Sequence, residues 1–321
     1  MSKSSQLKQR LQTNKRRAVV TSFDGNYFNY SMVLARSLAD NYNGGERLEF
    51  ICLVPLDLAA REEEYIATVD RRDKLQISFR TSNGYEELVA GGRYNFERIP
   101  HITSNAMQRI FMATTLHEYD DVLYIDPDCM ITRNIRPALE YPLVNKFLAT
   151  VESDGSSLTV FDDPDRAYFG NGVFITSLSY WREACIEEQM LSYLTSDEYQ
   201  PTACIEQDLM NRFLFDVFSP LPVSFNYRWE FVELGGPFRG SFPLIFHFIG
   251  SYKPWITYGD MTSFEAAWRE SYLELFPDAT FNGPTPGSND LSAFEESWRQ
   301  KTQELFPELG LILKEHKLHE Q

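Results

Sequence analysis

From Ala18 onward, short apolar strands alternate with helical segments, and this alternation decides the fold class. Residues 18–20, 48–54, 75–79, 122–125 and 146–151 read as strands. Between them lie a helix carrying Met32, Val33, Leu34 and Leu38 and ending at Asn43-Gly44-Gly45, a polar helix over 59–69, and a helix over 103–117. The last has Met107, Ile110, Phe111 and Leu116 on its apolar side. Strands separated by helices require crossovers, so the expected architecture is α/β with a mostly parallel central sheet. Beyond about residue 160 the pattern is mixed, with strands at 172–176 and 243–248 and a helix over 205–215. The expected organisation is one α/β domain over 18–260, a flexible basic tail over 1–17 and a helical segment over 261–321.

Charge narrows the function classes. Thirty Lys and Arg against 46 Asp and Glu give a net charge of −16, which repels phosphate backbones and argues against nucleic-acid binding. No apolar run approaches the ~20 residues of a membrane span. The first residues hold no apolar core of a secretory signal. Cys52, Cys129, Cys185 and Cys204 are far apart and form no CxxC pair, so a reducing, cytoplasmic setting is the expectation.

The chain has no G-x-G-x-x-G, Walker lysine loop, G-x-S-x-G elbow or H-E-x-x-H. What remains is Asp126-Pro127-Asp128, directly after Val122-Leu123-Tyr124-Ile125. Ligands of open α/β sheets bind beyond the carboxyl ends of the strands. Two oxygen donors there suit Mg²⁺ or Mn²⁺ and, through the metal, a diphosphate. A second copy, Asp163-Pro164-Asp165, follows a shorter apolar stretch, and either copy also reads as a solvated turn. As surface-loop carboxylates, Asp126 and Asp128 are expected to contribute little to stability.

Several separated motifs, in order from Ala18 to Trp255, resemble glycosyltransferase family 8, the glycogenin and bacterial lipooligosaccharide galactosyltransferase group. Ser22-Phe23-Asp24-Gly25-Asn26-Tyr27 looks like its first nucleotide loop. Arg109 resembles its helix arginine, and residues 122–128 its strand plus D-x-D. Glu206-Gln207-Asp208-Leu209-Met210-Asn211 is similar to D-Q-D-x-x-N. His247-Phe248-Ile249-Gly250-Ser251-Tyr252-Lys253-Pro254-Trp255 is similar to H-x-x-G-x-x-K-P-W, the most specific of these motifs. Two departures stand out: Gly170-Asn171-Gly172 replaces Asn-Ala-Gly or Asn-Ser-Gly, and Glu206 replaces an aspartate.

The resemblance implies a GT-A-type nucleotide-sugar-binding fold and a metal-dependent retaining transfer of glucose or galactose from a UDP-sugar to an acceptor hydroxyl. Asp126, Asp128 and His247 would hold Mn²⁺, with Mg²⁺ the alternative; an imidazole ligand favours the former. Lys253, with Gly250 allowing close backbone approach, would meet the phosphates. Ser22, Asp24, Asn26 and Tyr27 would border base and ribose, although Asp24 also reads as an ordinary Asx-turn residue. Arg109 would lie beside the sugar or diphosphate, Glu206 on donor-sugar hydroxyls, Gln207 beneath the anomeric carbon, and Pro127, Gly170, Asn171 and Gly172 along the donor. The acceptor is a glycan, a lipid-linked glycan or a protein; 17 tyrosines also leave room for glycogenin-like self-glucosylation. A nucleotidyltransferase lacks its Gly-rich loop here. A catalytically silent nucleotide-sugar-binding scaffold would be expected to lack Asp126, Asp128 or His247.

The C-terminal segment repeats itself. Phe264-Glu265-Ala266-Ala267-Trp268-Arg269, ending in Glu274-Leu275-Phe276-Pro277, recurs thirty positions later from Phe294 to Pro307 with eight of fourteen residues identical. Thr262 with Glu265, and Ser292 with Glu295, have capping-box spacing. Residues 262–310 hold three basic and nine acidic groups, which disfavours anionic lipid. Both apolar stripes are expected to pack on the catalytic domain, or the second to mediate self-association.

Overall fold

The computed structural model describes residues 16–91, 104–152, 167–199, 205–228, 243–250, 253–256 and 263–281. Asp163-Pro164-Asp165, the second copy of the repeat and residues 1–15 of the basic tail lie outside the described residues. The strands are β1 Arg17–Ser22, β2 Leu48–Leu53, β3 Leu75–Arg80, β4 Asp121–Ile125, β5 Cys129–Ile131, β6 Phe147–Glu152, β7 Tyr168–Ser177, β8 Phe218–Pro220, β9 Tyr227–Arg228 and β10 Ile245–His247. The helices are α1 Phe28–Asp40, α2 Glu62–Val69, α3 Asn83–Ala90, α4 Met112–Thr115, α5 Arg136–Leu139, α6 Leu178–Glu183, α7 Ile186–Leu194, α8 Ile205–Leu214 and α9 Ser263–Leu275.

A seven-stranded sheet runs in the order β3-β2-β1-β4-β7-β6-β8. The β3–β2, β2–β1, β1–β4 and β6–β8 pairs are parallel, and β7 runs against both β4 and β6. Period-two alternation builds a core on each face. Val19, Phe50, Cys52, Leu123 and Ile125 point to one, and Val20, Ile51, Leu53, Val122 and Tyr124 to the other. Every residue of β4 is buried, as befits a central strand covered on both faces.

A smaller sheet, β5-β10-β9, sits beside the carboxyl end of β4. Pro127 fits the second position of the turn joining β4 to β5, closed by Cys129 N–H donating to Asp126 O at 3.1 Å. β10 then pairs antiparallel with β5 in the register His247↔Cys129. That register, set by segments more than a hundred residues apart, delivers His247 to the neighbour of Asp128.

Three expectations change. The helix expected over 103–117 is a 3₁₀ turn over Ser104–Phe111 followed only by the short α4. Arg109 Nε donates to Ala106 O at 3.1 Å, an acceptor that an α-helix would reserve for the amide four residues on. The strand expected at 172–176 is the ten-residue β7, wholly buried and antiparallel to its neighbours. Finally, β1 begins at Arg17, whose guanidinium pairs with Asp121, so the first strand starts one residue before Ala18.

Candidate active site

Asp126 lies at the end of β4, Asp128 in the turn, His247 at the end of β10, Gly172 in β7 and Lys253 in the loop after β10, all meeting at the carboxyl edge of the sheet. His247 Nδ1 pairs with Asn226 Oδ1 at 2.8 Å, and Asn226 Nδ2 donates to Thr150 Oγ1 at 3.0 Å. An amide oxygen can only accept, so Nδ1 carries a proton, and when the ring is neutral Nε2 presents a lone pair. That lone pair faces Asp128 Oδ1 at 3.2 Å and Asp126 Oδ2 at 3.9 Å. Asp128 Oδ1 is buried and has no donor unless Nε2 is protonated. With Nε2 unprotonated, three acceptors aim at one another and repel until a cation stands between them. Two carboxylates and one imidazole are a donor set that fits Mn²⁺ or Mg²⁺.

Gly172 makes room for this cluster. A Cβ built there would run into the His247 ring and would lie 2.9 Å from Asp126 Oδ2. Cys129 Sγ also falls within 4.8 Å of Asp128 and His247 donor atoms. Burial, reinforced by Asp128 and Asp126, pushes that thiol well above its ordinary pKa. It packs in the hydrophobic core, and a thiol suits softer metals than those two carboxylates do.

The carboxylates are neither exposed nor loosely held, which overturns the reading of them as surface-loop groups of little structural weight. Asp128 is 7% exposed, and its Oδ2 is in direct contact with Lys253 Nζ, which also donates to Phe248 O at 2.7 Å. Burial works to raise the Asp128 pKa, but Lys253, with His247 when protonated, outweighs it and holds the carboxyl well below the usual range. Asp126 Oδ1 accepts from Arg109 Nη2 at 2.8 Å and from Tyr124 Oη at 3.0 Å. Burial, aided by Asp128, pushes Asp126 upward against Arg109, His247 and Tyr124.

Arg109 is spent on protein partners. Besides Asp126 and Ala106 it donates to Asn171 O at 2.9 Å and lies 4.7 Å from the Tyr124 ring centroid. Ser22 Oγ bonds Tyr124 Oη at 2.7 Å, so it reaches the cluster through Tyr124. Asp24 forms the Asx turn, accepting from Asn26 N at 2.9 Å, with Gly25 and Asn26 exposed. Tyr27 meets Trp255 edge to face at 5.6 Å, with Lys253 Nζ 6.0 Å from its ring. Burial first, then Asp128, Asp126 and Asp24, raise its phenol well above the ordinary value, so it stays neutral.

α8 is stapled to β7. Gln207 Oε1 accepts from Asn171 N at 3.2 Å and its Nε2 donates to Tyr168 Oη at 3.1 Å. Asn211 bonds both main-chain atoms of Phe169 at 2.9 Å. The Asn171 side chain turns to Met210 Sδ at 3.8 Å, so it offers the site its backbone and not its amide. Glu206 is buried at the start of α8. Gly250, three residues before Lys253, has φ +72, the left-handed region that favours glycine.

Tyr124, Tyr168 and Asn226 were not anticipated. Tyr124 sits inside an apolar run and reads as core, and Asn226 lies in no motif. Loss of the hydrogen bond that fixes the His247 tautomer is expected to cost ~10–100-fold in metal affinity. Titrating Asn226→Ala with Mn²⁺ checks this; unchanged affinity would mean the ring is held by packing alone.

The family model "Glycosyl transferase family 8" matches residues 18–258. Glycosyltransferase GlyE of Streptococcus pneumoniae serotype 4 is 25% identical over 186 residues, covering 55% of this chain. That match spans 43% of GlyE, less than half its length. Among solved structures, the apo WbbM bifunctional glycosyltransferase superposes with a TM-score of 0.65 at 17% identity, covering 82% of this chain and 52% of that one. The galactosyltransferase LgtC, in complex with donor and acceptor sugar analogues, gives 0.62 at 23% identity, covering 88% and 99%. At these identities the structural likeness speaks for the fold, and the seven-stranded, mostly parallel sheet is that of the GT-A transferases.

Proposed function

Because the chain belongs to glycosyl transferase family 8, we propose that it moves a hexose, glucose or galactose, from a UDP-sugar to an acceptor hydroxyl with retention at the anomeric carbon. The observation that carries the metal-dependent reading is the convergence of the buried Asp128 Oδ1, Asp126 Oδ2 and His247 Nε2 on one point. Asp126, Asp128 and His247 would hold the divalent ion. When bound, it supplies positive charge to the diphosphate as the glycosidic bond breaks.

The remaining work falls to the chain. Lys253 is a flexible ammonium at the edge of the cluster and can swing from Asp128 to a phosphate oxygen once Asp128 has another cation to face. Arg109 fixes Asp126 and Asn171 at the sheet edge, where the resemblance puts the sugar or diphosphate. Tyr27 offers a neutral aromatic face next to Trp255 for the base. Gln207 lies under the Gly170-Asn171-Gly172 stretch, where the resemblance puts the sugar. A double displacement needs a nucleophile, and an amide is a poor one, so attack from the face of the leaving group is favoured. Gln207→Ala is expected to slow turnover without abolishing it, and NMR of the first product to show retention. An inverted product, or a glycosyl adduct trapped on Glu206, would refute front-face attack.

The donor sugar is identified by a panel: UDP-glucose, UDP-galactose and other nucleotide sugars with Mn²⁺, read as slow UDP release without acceptor. No release or binding of any UDP-sugar would overturn the proposal. Among the described residues no helix is long and apolar enough to cross a membrane, and Cys52, Cys129 and Cys185 are free thiols, which suits a reducing compartment.

A further inference from the structure

The segment that carries Lys253 is gripped from outside the sheet by α9. Arg269 Nε donates to Pro254 O at 2.6 Å and Nη2 to Ile256 O at 2.9 Å. Its guanidinium is steadied by the Phe281 ring 5.1 Å away. The preceding residue, Trp268, is fully buried with its ring 5.3 Å from that of Trp255, which itself stacks on Tyr30 at 3.9 Å. The gripped segment is a single turn, closed by Ile256 N–H donating to Lys253 O at 2.9 Å. Gly250, with its left-handed backbone, precedes it. A single turn depends on partners outside itself for its shape, and those that α9 supplies to its backbone and to Trp255 are Arg269 and Trp268.

We infer that Arg269 is a positioning residue for phosphate binding: from α9 it fixes the Lys253–Ile256 turn so that the Lys253 ammonium starts at the metal cluster. This makes α9 part of the donor site. The inference rests on the reading of Lys253 as a phosphate contact. A bidentate guanidinium in a fixed fork does this where a lysine, a single point charge, would hold one carbonyl at a time. Arg269 is also among the residues shared by the two copies of the repeat, with Phe264, Glu265, Trp268, Glu274, Leu275, Phe276 and Pro277. In α9 several of these face the domain: Phe264 stacks on Phe246 at 4.2 Å, Trp268 packs on Trp255, and Glu274 lies 3.8 Å from Arg36.

The test uses the full chain and UDP with Mn²⁺ as probe. Arg269→Gln, Arg269→Lys, Lys253→Met and the Lys253→Met/Arg269→Gln double variant are compared by calorimetric titration, with melting temperature measured alongside. Arg269→Gln is expected to weaken UDP binding roughly tenfold, about the effect of losing one hydrogen bond to a charged donor. KM for donor should rise while kcat changes little, and amide hydrogen exchange at Lys253, Trp255 and Ile256 should speed up without UDP or metal. Arg269→Lys should recover part of the loss. The double variant should bind no more weakly than Lys253→Met, because Arg269 acts through Lys253. If Lys253→Met binds UDP as the wild type does, the phosphate role of Lys253 fails. If Lys253→Met is weakened and Arg269→Gln, though folded, is not, the positioning role fails. Additive losses in the double variant would also overturn it.

Discussion

Asp128→Asn is expected to lower transfer by more than about 100-fold at any attainable Mn²⁺ concentration, exceeding the loss typical of a group that only supports a ligand. The amide keeps the shape of the carboxylate but not its charge, and the site needs that charge twice. It completes the acceptor set facing His247 Nε2 at 3.2 Å, and it neutralises the buried Lys253. For the same reason the variant loses stability. Removing one partner of a buried ion pair costs about 3–5 kcal/mol, and an amide oxygen still able to accept from Lys253 keeps the loss near the lower end. Melting temperature and Mn²⁺ titration together separate the effects: below its melting point, folded Asp128→Asn should still fail to bind Mn²⁺. Asp126→Asn should follow the same course, because Arg109 is left facing an amide. Asp163→Asn and Asp165→Asn serve as controls and should transfer as the wild type does. Full activity of Asp128→Asn in EDTA would remove the metal from the mechanism.

The alternation of strands and helices up to residue 125 was legible because each element is local and its burial follows its own period. Val19 and Val20 already face opposite cores as a two-residue period requires. The D-x-D was legible because an apolar strand that stops on two acids has few other uses. What was not legible is non-local. The direction of β7 depends on what it pairs with, and its apolar run would suit either orientation. Asn226 matters only because β10 lies beside β5 in one register, and no local pattern marks it. The burial of Asp126 and Asp128 was hidden because a short turn between strands normally faces water. Here the second sheet folds over it, and Arg109 and Lys253 supply the opposite charges that make burial tolerable. The 3₁₀ winding at Ser104–Phe111 has a related cause, since Arg109 bends back to bond Ala106 while reaching Asp126.

Gly172→Ala is expected to damage the same cluster without touching any charged group. The added methyl would overlap the His247 ring and press on Asp126 Oδ2 at 2.9 Å. Neither neighbour has an easy way to yield. His247 is held by its Nδ1 bond to Asn226 and by its pairing in β10, and Asp126 by Arg109 and Tyr124. Gly172 cannot retreat either, because its carbonyl accepts from Asp126 N at 2.7 Å and β7 is buried along its whole length. Overpacking of this kind typically costs about 1–3 kcal/mol. The larger effect is on geometry, because a ring pushed off its axis no longer aims Nε2 at the carboxylates. Mn²⁺ affinity should therefore fall by more than about 100-fold, past the range for a lost supporting group, while UDP binding without metal changes little. Gly45→Ala is the matched control: a Cβ there meets nothing within 4 Å, so both stability and Mn²⁺ affinity should hold. Wild-type Mn²⁺ affinity in a folded Gly172→Ala protein would show that the His247 ring has room to move, and the metal site would then have to be sought away from β7.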